Sequence, residues 1–230
     1  MSESRNPFDR GDVAEVYDDW YEIPVGAVAD RLERQLIFKL AAPEPGECCL
    51  EVGAGTGHIT QFLAEHGLSV VGLDSSEAML EVARQALDDH QVDWQLGHAQ
   101  ALPYDDESFD LCLSVTTLEF VDDPGQMLSE MYRVVAPGGR MVVATINRQS
   151  SWGRMYRREA KQQDTPFRQA RFFSADELVK ALGPFGRVHW NSAVFFPPSG
   201  RWMFLASVLE RVGRIFCKGS GALLVARVDK

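Results

Sequence analysis

The 230-residue chain predicts an α/β fold, a three-layer α/β/α sandwich around a mostly parallel sheet, on three observations. Short apolar strand patterns alternate with helical patterns from residue 48 onward. A glycine-rich turn, Gly53-Ala54-Gly55-Thr56-Gly57, stands between the first strand and the first helix of that series. An acid, Asp74, ends the second strand.

Residues 1 to 12 are polar, with Asn6-Pro7 and Arg10-Gly11-Asp12 among them, and are expected to begin disordered. From Val13 to about Leu40 the pattern is helical with interruptions. Val28, Leu32, Leu36 and Leu40 share one face, while Pro24 and Gly26 set off an earlier aromatic segment, Tyr17-Asp18-Asp19-Trp20-Tyr21. Those aromatics suit a flap over a ligand site, and they equally suit apolar anchoring of a terminal helix. Ala42-Pro43-Glu44-Pro45-Gly46-Glu47 ends the helix and turns the chain into the first strand.

Cys48, Cys49, Leu50 and Val52 form that strand, and Ile59, Phe62 and Leu63 recur at helical spacing behind the glycines. The helix runs from Ile59 to His66 and closes at Gly67. A second strand follows from Ser69 to Leu73, a second helix from about Glu77 to Leu87, and a third strand from Val92 to Leu96, ending at Gly97-His98-Ala99. The turn-rich stretch Ala101 to Asp110 approaches a fourth strand, Leu111 to Val115. Asp122-Asp123-Pro124-Gly125 precedes a helix from roughly Gln126 to Val135, and Pro137-Gly138-Gly139 turns into a fifth strand, Arg140 to Ile146. Such regular alternation implies right-handed crossovers with helices on both faces of the sheet.

Residues 148 to 171 set Arg148, Arg154, Arg157, Arg158, Lys161, Arg168 and Arg171 against Glu159 and Asp164, with Trp152, Tyr156, Phe167, Phe172 and Phe173 interleaved. A solvated charged helix and an anion site both fit. Ser174-Ala175-Asp176-Glu177 opens another helix with a serine cap and early acids, ending near Gly183-Pro184. Val188 to Phe196 alternates like a strand. Arg201 to Phe216 is amphipathic, with Trp202, Leu205, Leu209, Val212 and Phe216 on one side and Arg201, Arg211 and Arg214 elsewhere. Packing of that side on the sheet is the expectation, and peripheral membrane attachment is the alternative. Leu223 to Val228 closes the chain as a strand.

With 45% hydrophobic residues the chain can bury a sizeable core as one domain with a small elaboration. No apolar run reaches membrane-spanning length, and Met1-Ser2-Glu3-Ser4-Arg5-Asn6 lacks the apolar core of a signal peptide, so a cytoplasmic location is expected. Cysteines 48, 49, 112 and 217 show no metal-ligand spacing, so no metal is expected; three fall in predicted strands, where reduced, buried thiols are ordinary. The net charge of −10 divides unevenly: residues 1–147 carry 8 Lys+Arg against 27 Asp+Glu, and residues 148–230 carry 15 against 6. The later part therefore docks against the acidic part or meets an anionic partner.

Free N–H groups at the start of the first crossover helix suit a carboxylate or phosphate. A dinucleotide fingerprint would need its third glycine at position 58, where His58 stands. What stands here, Glu51-x-Gly53-x-Gly55-x-Gly57, resembles the first motif of class I S-adenosylmethionine-dependent methyltransferases. Leu102-Pro103-Tyr104-Asp105-Asp106-Glu107-Ser108-Phe109-Asp110, then Asp123-Pro124, then Tyr132-Arg133-Val134-Val135-Ala136-Pro137-Gly138-Gly139-Arg140 are similar to the later motifs of small-molecule members, such as the ubiquinone and menaquinone biosynthesis methyltransferases. The match covers about residues 46 to 147.

The resemblance implies a Rossmann-like sandwich with a seven-stranded sheet whose last strand is antiparallel. It divides the chain into an N-terminal helical lid segment (1–45), an S-adenosylmethionine-binding core (46–147), and a cap insertion with C-terminal completion of the same sheet (148–230), all one domain. It implies S-adenosylmethionine as donor, S-adenosylhomocysteine as product, and in-line methyl transfer to O, N or C of a small-molecule acceptor. By that resemblance Gly53, Gly55 and Gly57, with Ala54, line the methionine and ribose portion, and Glu51 orders the loop. Asp74, beside Ser75, holds the ribose hydroxyls, although Asp74 also suits a helix cap. Met79 packs against adenine, and Ser114 and Tyr17 belong to the same cofactor-binding set.

The third strand end departs from the family's common Gly-Asp-Ala. Either His98 takes over the adenine contact or backbone at Ala99 carries it, and a protonated histidine cannot accept a hydrogen bond, so cofactor affinity is expected to weaken at acidic pH. Methyl transfer needs positioning in a dry pocket, and a base only when the acceptor must lose a proton. Glu119, following Thr116 and Thr117 where related sequences often have histidine, and Tyr21 are the candidate catalytic residues; a surface or capping role fits Glu119 as well. An RNA or protein acceptor using the basic 148–171 segment is an alternative, opposed by overall acidity and by the missing Asn/Asp-Pro-Pro-aromatic tetrad, so nucleic acid is not expected. A non-catalytic S-adenosylmethionine-binding protein is the other alternative. Monomer and homodimer are both open.

Overall fold

The computed structural model describes residues 7–9, 11–87, 92–163 and 165–230. Residues 1–6, where disorder is expected, and Asp164 of the basic segment lie outside the described residues. A 3-10 turn at Pro7–Asp9 and two short helices, α1 (Gly11–Glu15) and α2 (Asp19–Glu22), lead to α3 (Pro24–Ala41). Strand and helix then alternate as β1 (Cys48–Val52), α4 (His58–Glu65), β2 (Ser69–Asp74), α5 (Glu77–Ala86), β3 (Val92–Leu96), β4 (Phe109–Val115), α6 (Pro124–Val134) and β5 (Val135–Ile146). The remainder comprises α7 (Ser151–Gln162), α8 (Ala175–Leu182), β6 (Val188–Ala193), α9 (Ala206–Phe216) and β7 (Leu223–Asp229).

The seven strands form one sheet in the order β3-β2-β1-β4-β5-β7-β6. Strands β1 to β5 pair in parallel, and β7 runs antiparallel to both of its neighbours. This is the expected mostly parallel sandwich. Period-two alternation divides the core between the two faces. Leu111, Leu113, Val142 and Ala144 pack with Leu36 and Ile37 of α3 and Leu63 of α4. Cys112, Met141 and Val143 face the other way, against Met127, Leu128 and Met131 of α6 and Leu178 and Leu182 of α8. At the β2–β3 end of the sheet the Trp94 ring lies over two glycines: a Cβ on Gly72 would fall 2.5 Å from it, and one on Gly57 2.7 Å.

Five local expectations change. Pro137-Gly138-Gly139 is no turn ahead of β5 but a bulge within it, because Val135 already pairs with Phe109 and the Gly138 N–H donates to Lys230 O at 2.9 Å. Strand β6 ends at Ala193, since Val194 takes a left-handed φ of 64°, and α9 starts only at Ala206, after Trp202 at φ 70° and a 3-10 turn. Cys48 is exposed, while Cys49 and Cys112 are buried. Helix α9 presents a different face from the expected one. Ala206, Glu210 and Gly213 point inward with Leu209 packed alongside, whereas Trp202, Leu205, Val212 and Phe216 face out. The reason lies in Glu210, whose Oε1 accepts from the N–H groups of Val194 (2.6 Å) and Phe195 (3.1 Å), and in Gly213, where a Cβ would collide with the Phe195 ring.

A second buried carboxyl secures the neighbouring loop. Glu119 Oε1 accepts from the Ile146 N–H at 2.6 Å, joining the turn after β4 to the end of β5. Burial pushes this carboxyl from its ordinary 4.5 up to about 7. Its protonated form is favoured by folding, so its contribution to stability is complete below pH 4.5 and is lost as pH rises through about 7. In denaturant unfolding, Glu119→Gln is expected to match the wild type at pH 5 and to exceed it by roughly 2–3 kcal/mol at pH 8. An equal difference at both values would contradict this origin of the shift.

Candidate active site

The parallel strands end together, and the loops beyond their carboxyl ends build the site, as in other open α/β sheets. The N–H groups of Gly53 and Ala54 both donate to Leu73 O, at 2.7 and 3.0 Å, so the loop after β1 is tied to the end of β2. Gly53 takes a φ of +78°, and a Cβ there would fall 2.0 Å from Thr117 Oγ1, so a side chain is excluded twice over. Thr116, one residue earlier in the facing loop, is itself left-handed at φ 51°. For a β-branched residue this is a strained conformation of the kind that persists where the surroundings enforce it.

Asp74 stands at the centre of these loops. Its Oδ2 accepts from the Gly55 N–H and its Oδ1 from the Ser76 N–H, each at 2.8 Å. Burial raises the Asp74 carboxyl above its ordinary range, against the lowering effect of those bonds. The cap of α5 is Ser76 rather than Asp74: its Oγ accepts from the Met79 N–H at 3.3 Å and donates to Phe8 O at 2.7 Å.

A cavity of about 400 Å³ opens here. Of the residues expected to bind cofactor, Gly53, Gly55, Asp74 and Ser75 line it from the ends of β1 and β2. Met79 of α5 and His98 and Ala99 beyond β3 line it as well, as does Tyr17 from the N-terminal segment. Thr116 and Thr117 also reach it.

The other expected residues lie outside the lining. Glu51 is buried below the loop, where the Thr60 hydroxyl donates to it and burial pushes its carboxyl up to about 8. Ala54 points toward Gly72, and Gly57 begins α4 at φ 86°. The Ser114 hydroxyl donates to Val52 O at 2.8 Å. Tyr21 is stacked on His58, with ring centroids 3.8 Å apart, and Glu119 is engaged with Ile146. Neither candidate catalytic residue touches the cavity.

The aromatics of the N-terminal segment point to different neighbours. Trp20 anchors, packing edge-on to Trp152 at 5.5 Å. Tyr17 lines the cavity, its phenol pushed by burial up to about 12 and its side chain hydrogen-bonded with Thr116. Two polar contacts hold this segment to the glycine loop: Thr56 Oγ1 donates to Asp18 Oδ1 at 2.8 Å, and His58 Nε2 lies 2.7 Å from Asp30 Oδ1.

Sequence reasoning missed Phe8, Phe120, Val121 and Gln169 in the lining. Phe8 meets Phe120 edge-on at 4.9 Å, and Phe120 approaches Phe167 at 6.2 Å, making an aromatic rim that reaches the basic segment. The interleaved aromatics of residues 148–171 were the signal for this rim; Phe8 had none, lying in a polar stretch without periodicity.

A half-buried carboxyl, glycine backbone open to the cavity, a thioether and an aromatic cover together suit a nucleoside joined to an amino acid. Among the described residues, no group of three or more His, Cys, Asp or Glu side chains could hold a metal ion, and no helix is long and apolar enough to cross a membrane.

Comparison with known proteins agrees with this geometry. Residues 50–143 match a family model described as a methyltransferase domain. A crystal structure from Thermotoga maritima, described as an S-adenosylmethionine-dependent methyltransferase and possible histamine N-methyltransferase, superposes with a TM-score of 0.74 at 30% identity, covering 94% of this chain and 96% of that one. An uncharacterized protein of Methanocaldococcus jannaschii is 32% identical over 79% of this chain and 80% of its own length. The demethylmenaquinone methyltransferase of Renibacterium salmoninarum is 39% identical, but the alignment spans only 59% of this chain and 56% of that protein. With this fold, this glycine loop and these relatives, the chain belongs to the class I methyltransferases, enzymes that take their methyl group from S-adenosylmethionine.

Proposed function

We propose that the enzyme methylates a small-molecule acceptor, at O, N or C, held beneath the aromatic rim. The observation that carries this reading is the charge of the cavity. Its lining includes Asp9, Asp74 and Asp122 and, among the described residues, no lysine or arginine. A phosphate backbone entering here would meet carboxylates, which counts against an RNA acceptor despite the cations of residues 148–171.

S-adenosylmethionine supplies a methyl group activated by a sulfonium that departs as a neutral thioether. The chain's own task is binding, orientation and exclusion of water. The Asp74 carboxyl accepts from the Gly55 and Ser76 N–H groups, with the Ser75 N–H also acting on it, and its two oxygens together offer more acceptor sites than these use, which lets it receive hydroxyls of a ribose. Met79 offers an apolar contact for a base, with His98 and Ala99 at its edge. Phe8 and Tyr17 of the N-terminal segment line the cavity together with Phe120, and this segment thereby serves as a lid. Glu119 and Tyr21 act through structure: one holds the loop that carries Thr116 and Thr117, and the other stacks on the His58 of the glycine loop's helix. Positioning rather than a dedicated base supplies the rate, worth up to roughly 7–11 kcal/mol when reacting atoms are well aligned.

Incubation with methyl-labelled S-adenosylmethionine and panels of small amines, phenols and quinols, beside RNA and protein, tests the acceptor class; label recovered in macromolecules alone would refute the proposal. In calorimetric titration, Asp74→Ala is expected to weaken S-adenosylmethionine binding roughly 100-fold, as the loss of two charge-assisted hydrogen bonds implies. Unchanged affinity in a folded variant would remove Asp74 from the site. Gly53→Ala is expected to lose about 1–3 kcal/mol in denaturant unfolding, from positive φ and collision with Thr117, and to bind the cofactor more weakly. Wild-type stability in that variant would show that the two loops do not need the close approach.

A further inference from the structure

The outward face of α9 is a feature that the methyl-transfer site leaves unused. Val208, Val212 and Ile215 recur at helical spacing on the side opposite Ala206, Glu210 and Gly213, and Phe204, Leu205 and Phe216 extend the stripe at both ends. Phe204 is 81% exposed, Ile215 68% and Phe216 77%. Side chains of this size, contiguous and exposed to solvent, mark an interaction surface, because scattered single exposures are the ordinary case and stripes are not. The stripe continues through Trp202 toward the lid, where Gly200 meets Val25 close to the half-exposed Ile23.

The cations beside the stripe identify what covers it. Arg214 is committed to Glu210 at 3.0 Å. Among the described residues Arg201 and Arg211 have no ion-pair partner, and the Arg201 guanidinium lies over the exposed Trp202 ring at 5.3 Å. The wider region agrees, with 15 Lys+Arg against 6 Asp+Glu in residues 148–230. We infer that residues 201–216 dock on an anionic lipid bilayer, the apolar stripe entering the interface and Arg201 and Arg211 reaching the headgroups. An amphipathic helix with an apolar face and flanking cations has this mode of binding, and each cation near an anionic surface adds about 1 kcal/mol. A second copy of the chain fits less well. Pairing α9 with itself about a twofold axis would set Arg211 beside its equivalent and desolvate two like charges together.

Flotation of the full chain with phosphatidylcholine vesicles, and with vesicles of phosphatidylcholine mixed with phosphatidylglycerol, tests the inference, alongside sedimentation velocity without lipid. Binding to the phosphatidylglycerol vesicles, weakened by salt, is expected. Arg201→Ser with Arg211→Ser should lower that affinity roughly 30-fold, and Phe204→Ser with Ile215→Ser and Phe216→Ser should lower it at least about 100-fold. All five side chains lie outside the methyl-donor cavity, so circular dichroism and S-adenosylmethionine affinity should stay as in the wild type and report folding independently. Absence of flotation with either vesicle overturns the inference, and equal flotation with both overturns the anionic assignment. A lipid-free dimer that the triple substitution dissociates, with no vesicle binding, would show a second copy to be the occupant.

Discussion

One carboxylate holds the centre of this molecule together. Asp74 receives an N–H from the loop after β1 and another from the start of α5, while the carbonyl of the preceding residue receives two more from Gly53 and Ala54. Four backbone donors that would otherwise be orphaned at the ends of strands and helices are satisfied at one point. The glycine loop can therefore present only Gly53 and Gly55 to the cavity without being loose. Thr117 packs against the vacancy at Gly53, Thr116 takes a left-handed turn beside it, and Tyr17 lines the same cavity, hydrogen-bonded with Thr116.

Around this point the chain buries acids sparingly and gives each a task. Glu119 accepts the backbone N–H of the last residue of β5, Glu210 accepts N–H groups just beyond the end of β6, and Glu51 accepts the Thr60 hydroxyl beneath the loop. A buried carboxyl loses hydration, and these bonds return part of it. The arrangement makes the rim of the sheet a set of polar clips, while the two faces remain apolar.

Much of this architecture was legible in the sequence, for identifiable reasons. Val92 to Leu96 and Ser69 to Leu73 are short alternating or apolar runs bounded by turn residues, and both are strands with ends within one residue of those expected. Asp74 and the residues around Gly97 could be placed at the cavity because they sit at strand ends, where topology puts ligands, and Met79, in the helix that follows Asp74, through the family resemblance. Contacts between distant parts of the chain were not legible. Phe8 reaches the cavity through Ser76, 68 residues away, and no local pattern announces such a pairing. Helix α9 shows the limit of periodicity: its stripe was plain, but the stripe alone does not say which side faces inward. Glu210 and Gly213 decide that, through backbone groups and a ring that belong to the segment after β6.

The indole of Trp94 occupies the space that side chains on Gly57 and Gly72 would need. Three positions on separate elements thus share one volume, and they are not free to drift independently over generations. A side chain can enter position 72 only in a lineage where position 94 has first become small, and the reverse order passes through an overpacked intermediate. Position 57, held at positive φ as well as beneath the ring, gains nothing from that concession. The order in which substitutions can accumulate around this sheet edge is therefore set by one ring.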